Sequence, residues 1–143
     1  MEKVKLLVIV ERGKGKRNFS CFATESVCEC LLAGYGGTAR EAMDDIYVSA
    51  REAKEMAQER GEEFPDIEFE FRLDVGAFFD YYPLDVTATA KYIGINPSIL
   101  RQYATSLREP RQKQIDKINA GLNRLAKDLG SGMMINQPAV AYV

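Results

Sequence analysis

The stretch from residue 85 to residue 104 constrains the fold of this 143-residue chain more than any other segment. Ala90 is followed four positions later by Gly94, the spacing at which two short helices cross closely and the chain then turns sharply. Asn96 suits the cap of the second helix, and Pro97 suits its first position. The apolar residues placed to form the core shared by the two helices are Ile93, Ile95, Leu100 and Tyr103. The pattern predicts a helix-turn-helix module, and the alternative is an ordinary helical hairpin with a glycine turn.

The second helix of this module carries the residues that we expect to contact DNA. In helix-turn-helix proteins this helix enters the major groove by its N-terminal end and presents the side chains that do not pack inward. Arginine suits guanine edges and glutamine suits adenine edges, whereas serine and threonine accept several bases. The predicted base-contacting residues are Ser98, Arg101, Gln102 and Thr105. The basic residues of the following turn and helix start are predicted to bind phosphates, and they are Arg108, Arg111 and Lys113.

Helical patterns flank the module on both sides. Residues 75–82 are short, apolar and aromatic, with Asp74 placed to cap them and Pro83 to end them. A final amphipathic helix is predicted to end at Gly130, and its apolar positions are Ile115, Ile118, Leu122, Leu125 and Leu129. The apolar tail of residues 131–143 is assigned to no element, although its composition would suit a strand added to a partner subunit.

The first part of the chain is typical of β-structure. An apolar run over residues 3–10, rich in Val, Leu and Ile, predicts a well-covered strand, and the glycines of residues 13–16 predict a turn. Residues 19–23 and 27–32 predict two more strands around a turn at residues 25–26. The facing pairs of that hairpin are Cys21 with Cys30 and Phe19 with Leu32. The cysteines are therefore expected on a sheet face that packs against apolar residues.

A helix and a fourth strand follow. Gly34–Gly37 is predicted to break the third strand, and Thr38 and Glu41 are predicted to form a capping box. Apolar residues then recur every three or four positions up to a helix end at Gly61, and they are Ala39, Ala42, Met43, Ile46, Ala50, Ala53 and Ala57. Residues 67–73 alternate strictly, which predicts a half-buried strand. Its inward residues are Ile67, Phe69, Phe71 and Leu73, and its outward residues are Glu68, Glu70 and Arg72.

These elements predict an α+β chain whose two halves differ in fold and in charge. Residues 1–74 form a β-β-β-α-β domain with one helix on the inner face of a small sheet, residues 75–130 form an all-α helix-turn-helix domain, and residues 131–143 form the tail. Residues 1–80 carry 17 acidic and 11 basic side chains, a net charge of −6, whereas residues 81–143 carry 4 and 8, a net charge of +4. We therefore expect the two halves to bind different partners.

The composition disfavours several classes of function. The chain has no histidine, which removes the commonest general base near neutral pH and the commonest zinc ligand. Its three cysteines (Cys21, Cys28 and Cys30) fit neither a disulfide framework nor a metal site and are interpreted as small buried residues. The carboxylates form no two-metal or acid–base constellation, so we expect no enzymatic activity and no cofactor. No apolar run approaches a membrane span and the start lacks the features of a secretory signal, which favours the cytoplasm.

The predicted order of elements in the two halves, together with the residues named below, resembles that of the HicB-type antitoxins over residues 3–130. In the N-terminal half the resemblance rests on Gly36, Thr38, Glu41 and Ala42, around the start of the helix. In the C-terminal half it rests on residues 94–98, residues 100–104, Gln114, Ile115, Ile118 and Leu129. The resemblance implies a degenerate RNase H-like N-terminal domain that blocks a small HicA-type RNA-cleaving toxin, and a C-terminal module that represses the operon by binding DNA.

An acidic surface on the N-terminal half would compete with RNA for the positive surface of such a toxin. The predicted toxin contacts are Glu68 and Glu70 on the last strand and Asp44, Asp45 and Glu52 on the helix, with an ordinary solvated surface as the alternative for each. We expect at least a homodimer, because one module makes too little contact for tight operator binding. Two other functions stay open. One is a stand-alone transcriptional regulator whose N-terminal domain serves dimerisation or ligand sensing, and the other is a nuclease that retains RNase H-like chemistry.

Overall fold

A computed structural model describes residues 3–13, 18–132 and 134 of the chain. This part of the chain is a mixed α+β structure with a four-stranded sheet and five helices. In chain order the elements are β1 (Val4–Arg12), β2 (Phe19–Ala23), β3 (Ala33–Gly36), α1 (Ala39–Glu59), β4 (Ile67–Leu73), α2 (Val75–Tyr81), α3 (Val86–Ile93), α4 (Pro97–Ala104) and α5 (Gln112–Ser131). Most of the turn predicted at residues 13–16, and most of the tail, lie outside the described residues.

The four strands form one sheet in the order β3-β2-β1-β4. The central strand β1 is antiparallel to β2, with Val8 facing Ala23, and parallel to β4, with Val8 facing Phe71. Because side chains alternate along each strand, one face of the sheet is apolar and packs against α1. The fully buried residues of this first core include Leu6, Val8, Val10, Phe19, Cys21 and Ala23 from the sheet and Ala39, Ala42 and Ile46 from α1.

The helix α1 begins and packs as the sequence predicts. The Thr38 hydroxyl accepts a hydrogen bond from the Glu41 N–H at 3.1 Å, and the Glu41 carboxylate accepts one from the Gly37 N–H at 2.8 Å. The predicted apolar stripe faces the sheet, with Met43 and Ala50 half-buried at its border and the remaining members buried. Local capping and a 3.6-residue period are therefore sufficient to place this helix.

The third strand lies later in the chain than the sequence predicts. It occupies the glycine-rich segment at residues 33–36 that was expected to break the strand. Its register pairs Phe19 with Gly36, Ser20 with Tyr35, Cys21 with Gly34 and Phe22 with Ala33. The predictions that are wrong are the strand at residues 27–32, its turn at residues 25–26 and its facing pairs Cys21–Cys30 and Phe19–Leu32.

A tight turn occupies the middle of that predicted strand. Val27 and Cys30 exchange two backbone hydrogen bonds of 2.8 and 2.9 Å around Cys28 and Glu29, whose φ values are 50° and 66°. Two consecutive left-handed residues reverse the chain within four positions. Apolar residues such as Val27 are buried because this loop folds back onto the core, and their burial does not come from strand pairing.

The glycines of β3 are explained by the close approach of α1. A Cβ atom on Gly34 would lie 2.3 Å from the backbone oxygen of Ala42 and 2.7 Å from the backbone nitrogen of Ile46. Both are helix backbone atoms, which cannot move aside as a flexible side chain can. Glycine therefore occurs in this strand because it leaves room for the helix, although it is usually unfavourable inside strands.

The last strand, β4, has the alternation that the sequence predicts. Glu68, Glu70 and Arg72 are exposed, whereas the odd-numbered residues face α1. Those inward residues are only half-buried, since α1 packs mainly over β2 and β3. Tyr47 of α1 reaches β4, and its ring centroid lies 5.0 Å from that of Phe69. The aromatic side of β4 is thus partly open to solvent.

The buried thiol of Cys21 leads to a prediction about alkaline pH. Its Sγ donates a hydrogen bond to the Ala42 carbonyl at 3.0 Å, and burial, together with the nearby Asp45 carboxylate, raises the pKa of Cys21 from 9.0 to about 11. Because the folded-state pKa is the higher one, this contribution to stability is fully present below pH 9 and is lost as the pH rises to 11. We expect the free energy of unfolding to fall by up to about 3 kcal/mol in this window.

Urea unfolding across this alkaline range measures the effect, and Cys21→Ser is the matched variant. A serine hydroxyl can keep the hydrogen bond to Ala42 but does not titrate in this range. The free energy of unfolding of the serine variant should therefore fall less than that of the unmodified chain. Equal declines in the two proteins would assign the pH dependence to other groups.

The helices α2 to α5 form a second core. Asp74 caps α2 as predicted, because its carboxylate accepts a hydrogen bond from the Ala77 N–H at 2.8 Å. The buried residues of this core are Val75, Ala90, Ile93, Ile95, Leu100, Tyr103 and Ile118. The last helix ends at Ser131, one residue beyond the predicted end, and Leu129 near its end is 66% exposed.

Candidate nucleic-acid interface

The helices α3 and α4 form a compact unit around a sharp turn. Gly94 ends α3 with a φ of 92°, a left-handed conformation that favours glycine. The N–H groups of Gly94 and Ile95 both donate to the Ala90 carbonyl, at 2.8 and 2.9 Å. The Asn96 side chain then accepts a hydrogen bond from the Ser98 N–H at 2.8 Å and starts α4. The predicted helices, turn glycine and cap are all present.

Contacts among three helices, α3, α4 and α5, hold this unit together. Ala90 and Leu100 are completely buried, and Tyr103 is nearly so. From the third helix, α5, the backbone of Gly121 lies against Ile93, since a Cβ atom there would be only 2.6 Å from the Ile93 Cγ1. Because the apolar face of α4 is held in this way, its opposite face is oriented toward solvent.

The outward face of α4 carries the four predicted base-contacting residues. Ser98, Arg101 and Thr105 are exposed, and Gln102 is half-buried. Their spacing places them on one side of the helix. The guanidinium of Arg101 donates to the Thr87 hydroxyl of α3 at 2.9 Å, so α3 helps to orient it. The Thr105 hydroxyl donates to the Arg101 carbonyl at 2.9 Å and is therefore engaged at the end of the helix.

The three predicted phosphate-binding residues, Arg108, Arg111 and Lys113, are all exposed. Arg108 lies in the loop after α4, Arg111 precedes α5 without capping it through its side chain, and Lys113 lies in the first turn of α5. From residue 86 to residue 108 the sequence has three basic side chains and no acidic one. The charge of this stretch therefore favours contact with a polyanion.

The five predicted toxin-contacting residues fall into two separate groups. They are Glu68 and Glu70 on the sheet face opposite α1, and Asp44, Asp45 and Glu52 on α1 itself. Glu70 is paired with Arg72 at 2.7 Å. The Asp45 carboxylate accepts a hydrogen bond from the backbone N–H of Tyr35 in β3 at 2.9 Å. The sheet lies between the two groups, and Asp45 has a structural role at the sheet edge.

A cleft of about 450 Å³ lies at the junction between the two cores, and Arg12 crosses this junction. The Arg12 backbone N–H donates to the Asp74 carboxylate at 3.3 Å, and its guanidinium donates to the Ala104 carbonyl at the end of α4 at 3.1 Å. Burial at this junction raises the pKa of the Asp74 carboxyl above its ordinary value of 3.8, although the hydrogen bond and the charge of Arg12 act in the opposite direction. Arg12 thus ties the sheet to α4. The role of Arg12 cannot be predicted from the sequence, because its partner lies 92 positions away and no local pattern signals such a contact.

Comparisons with known proteins do not assign the chain to a family. No protein-family model, no curated protein and no solved structure matches it. Among the residues that the structure describes, no group of three or more His, Cys, Asp or Glu side chains could hold a metal ion. In the same residues, no helix has both the length and the apolar character needed to cross a bilayer.

Proposed function

We propose that this chain is the cytoplasmic antitoxin of a type II toxin–antitoxin pair, which binds operator DNA through α3 and α4 and neutralises a HicA-type RNA-cleaving toxin through its N-terminal domain. One observation carries the DNA-binding part. The polar face of α4 has no acidic residue, with Ser98 and Arg101 exposed and Gln102 half-buried. Leu100 and Tyr103 hold the opposite face in the core. A rigidly held helix with such a face suits the major groove.

In this proposal α3 and α4 are a helix-turn-helix, and α4 is its recognition helix. Arg101 and Gln102 read base edges, because a guanidinium can bond guanine with two donors and a carboxamide can bond adenine with one donor and one acceptor. The hydrogen bond from Arg101 to Thr87 lowers the cost of ordering that long side chain on binding. Arg111 and Lys113 contact phosphates and set the position of the module on the duplex.

Two features of the N-terminal half support the antitoxin part of the proposal. The β-β-β-α-β order over residues 4–73 is the order expected of a degenerate RNase H-like domain of this type. The net charge of −6 over residues 1–80 favours a basic partner such as an RNA-cleaving toxin. Since the acidic residues form two groups, a small toxin would contact either Glu68 and Glu70 or Asp44 and Glu52, and not all of them together.

The DNA-binding part is tested with the DNA upstream of this gene. Arg101→Ala and Gln102→Ala should each weaken binding by about 1–3 kcal/mol and relax base preference, because each removes a base contact. Arg111→Ala should weaken all sequences about equally, because a phosphate contact carries no sequence information. Fluorescence anisotropy titrations with upstream and scrambled duplexes, repeated at several salt concentrations, measure both effects.

Lys127→Ala is the matched control, because it also removes one positive charge but lies exposed near the far end of α5. Its affinity should stay close to that of the unmodified chain. Unchanged binding by both the Arg101 and the Gln102 variants would mean that α4 is not the helix in the groove.

A stand-alone transcriptional regulator is the second candidate, and the cleft beside Arg12 favours it. This cleft joins the sheet to the end of α4, so a ligand bound there could alter the recognition helix. Co-expression with the adjacent gene distinguishes the two functions. An antitoxin should co-purify with a small basic protein and restore growth to cells that express it, whereas a stand-alone regulator should bind DNA and no neighbouring gene product.

A further inference from the structure

The two edge strands of the sheet, β3 and β4, differ in whether other parts of the chain cover their free backbone groups. On the β3 edge, the backbone N–H of Ala33 donates to the Ser49 hydroxyl at 3.4 Å, and that of Tyr35 donates to the Asp45 carboxylate at 2.9 Å. Both acceptors belong to α1, so the helix covers the donors that a further strand would need. This edge is therefore protected against strand addition.

The β4 edge has no such cover within the described part of the chain. The Val4 N–H donates to the Asp66 carbonyl at 2.8 Å, and the Asp74 N–H donates to the Val10 carbonyl at 2.9 Å. In parallel pairing, both backbone groups of a residue point to the same side, and the side alternates along the strand. The even-numbered residues of β4 therefore bond to β1, and the backbone groups of its odd-numbered residues point outward from the sheet.

An apolar groove runs beside this open edge. It has a volume of about 280 Å³, and most of its lining residues are apolar or aromatic: Tyr47, Ala50, Phe64, Pro65, Ile67 and Phe69. The charged residues Arg51, Lys54 and Asp66 also line it. Tyr47 is 52% exposed, and the inward residues of β4 are only half-buried. An added strand whose alternate side chains enter this groove would complete the cover that α1 leaves unfinished.

The charges of β4 fit an antiparallel copy of the same strand. The Arg72 guanidinium donates to the Phe71 carbonyl at 3.2 Å and to the Glu70 carboxylate at 2.7 Å, so it lies at the open edge. A twofold axis through Phe71 would place Arg72 opposite the partner's Glu70, and an axis through Glu70 would place it opposite the partner's Glu68. In both registers, odd-numbered residues face each other and each arginine faces a glutamate. The axis through Glu70 would also place the two Glu70 carboxylates opposite each other, so the charges favour the axis through Phe71.

We infer that β4 is a homodimer interface, at which two copies of this chain pair their β4 strands antiparallel into one continuous sheet. The pairing satisfies the outward backbone groups, closes the apolar groove and forms two symmetric ion pairs. It does not depend on the proposed DNA binding, although a dimer would also supply the two modules that paired half-sites require.

Two variants with opposite charge changes on the exposed side of β4 test this inference. Arg72→Glu makes that side wholly acidic, and the double variant Glu68→Lys, Glu70→Lys makes it wholly basic. Sedimentation equilibrium should show a dimer for the unmodified chain. Each variant alone should have a dimer Kd raised by about tenfold or more, because like charges then face each other across the strands. An equimolar mixture of the two variants should recover the dimer, since opposite charges meet again.

Lys117→Glu, which reverses an exposed charge on α5, is the matched control and should stay dimeric. Circular dichroism confirms that each variant is folded. The inference is overturned if the unmodified chain sediments as a 16.0 kDa monomer at micromolar concentration, as it would if the edge takes a strand from a different protein. It is equally overturned if both variants dimerise as well as the unmodified chain, or if their mixture remains monomeric.

Discussion

Replacing Gly34 with alanine is expected to destabilise the protein by at least about 3 kcal/mol, at the upper end of what overpacking costs. The added methyl group would meet the Ala42 oxygen at 2.3 Å, the Ile46 nitrogen at 2.7 Å and the Cys21 Sγ at 3.0 Å. Two of these atoms belong to the backbone of α1, so relief requires the helix to move away from the sheet and to open the first core along β2 and β3. A loss of this size is a large fraction of the stability of a typical domain.

Urea unfolding followed by circular dichroism measures this effect, with Gly130→Ala as the control. Gly130 lies within α5, and a Cβ atom there would meet nothing within 4 Å. The control should be neutral or stabilised by up to about 1 kcal/mol, since alanine is the better helix former. A Gly34→Ala protein with the same midpoint as the unmodified chain would mean that α1 does not approach β3 as closely as described.

Replacing Leu100 with alanine is expected to cost about 3–5 kcal/mol of stability and, with it, to abolish the proposed sequence-specific binding to DNA. Leu100 is completely buried, and it lies at the centre of the core that α3, α4 and α5 share. Removing its side chain leaves a cavity beneath α4, and the packing that orients the polar face of this helix is lost. Recognition needs side chains positioned to within a fraction of an ångström, so loosened packing reduces affinity even where the helix persists.

The control for this prediction is Leu107→Ala, a chemically identical change only seven positions away. Leu107 is 67% exposed, so its truncation should change the free energy of unfolding by no more than about 0.5 kcal/mol and leave the proposed DNA binding unchanged. Thermal unfolding and anisotropy titrations on the same preparations measure both quantities. If the Leu100→Ala protein loses stability but retains sequence-specific DNA binding below its Tm, then α4 is not the helix that contacts the bases.

These two predictions concern different cores and differ in how far the sequence anticipates them. The importance of Leu100 follows from a local pattern, in which the alanine, the turn glycine and the apolar positions of the α3–α4 unit all lie within twenty residues. The importance of Gly34 does not, because glycines near a strand end usually indicate a turn. Its role depends on where a helix that begins five positions later comes to lie across the sheet.

The sequence by itself determined the elements whose causes are local. Thr38 caps α1, Asn96 caps α4, Gly94 adopts the left-handed turn conformation, and residues 67–73 alternate as a half-buried strand. In each case the residues that decide the structure are at most a few positions apart, so the hydrogen bonds and the side-chain periodicity are already implied by their spacing. The division into a sheet-containing half and a helical half follows from the same signals.

Only the tertiary structure decided what depends on distant parts of the chain. The third strand lies at residues 33–36, where the close approach of α1 leaves no room for a side chain at Gly34 and Gly36. The tertiary structure placed the predicted acidic contacts in two groups on either side of the sheet, and it brought Arg12 to Ala104 across 92 positions. Such contacts form where separate elements pack, and the packing free energy that selects them is shared among many residues and carries no signature at any single position.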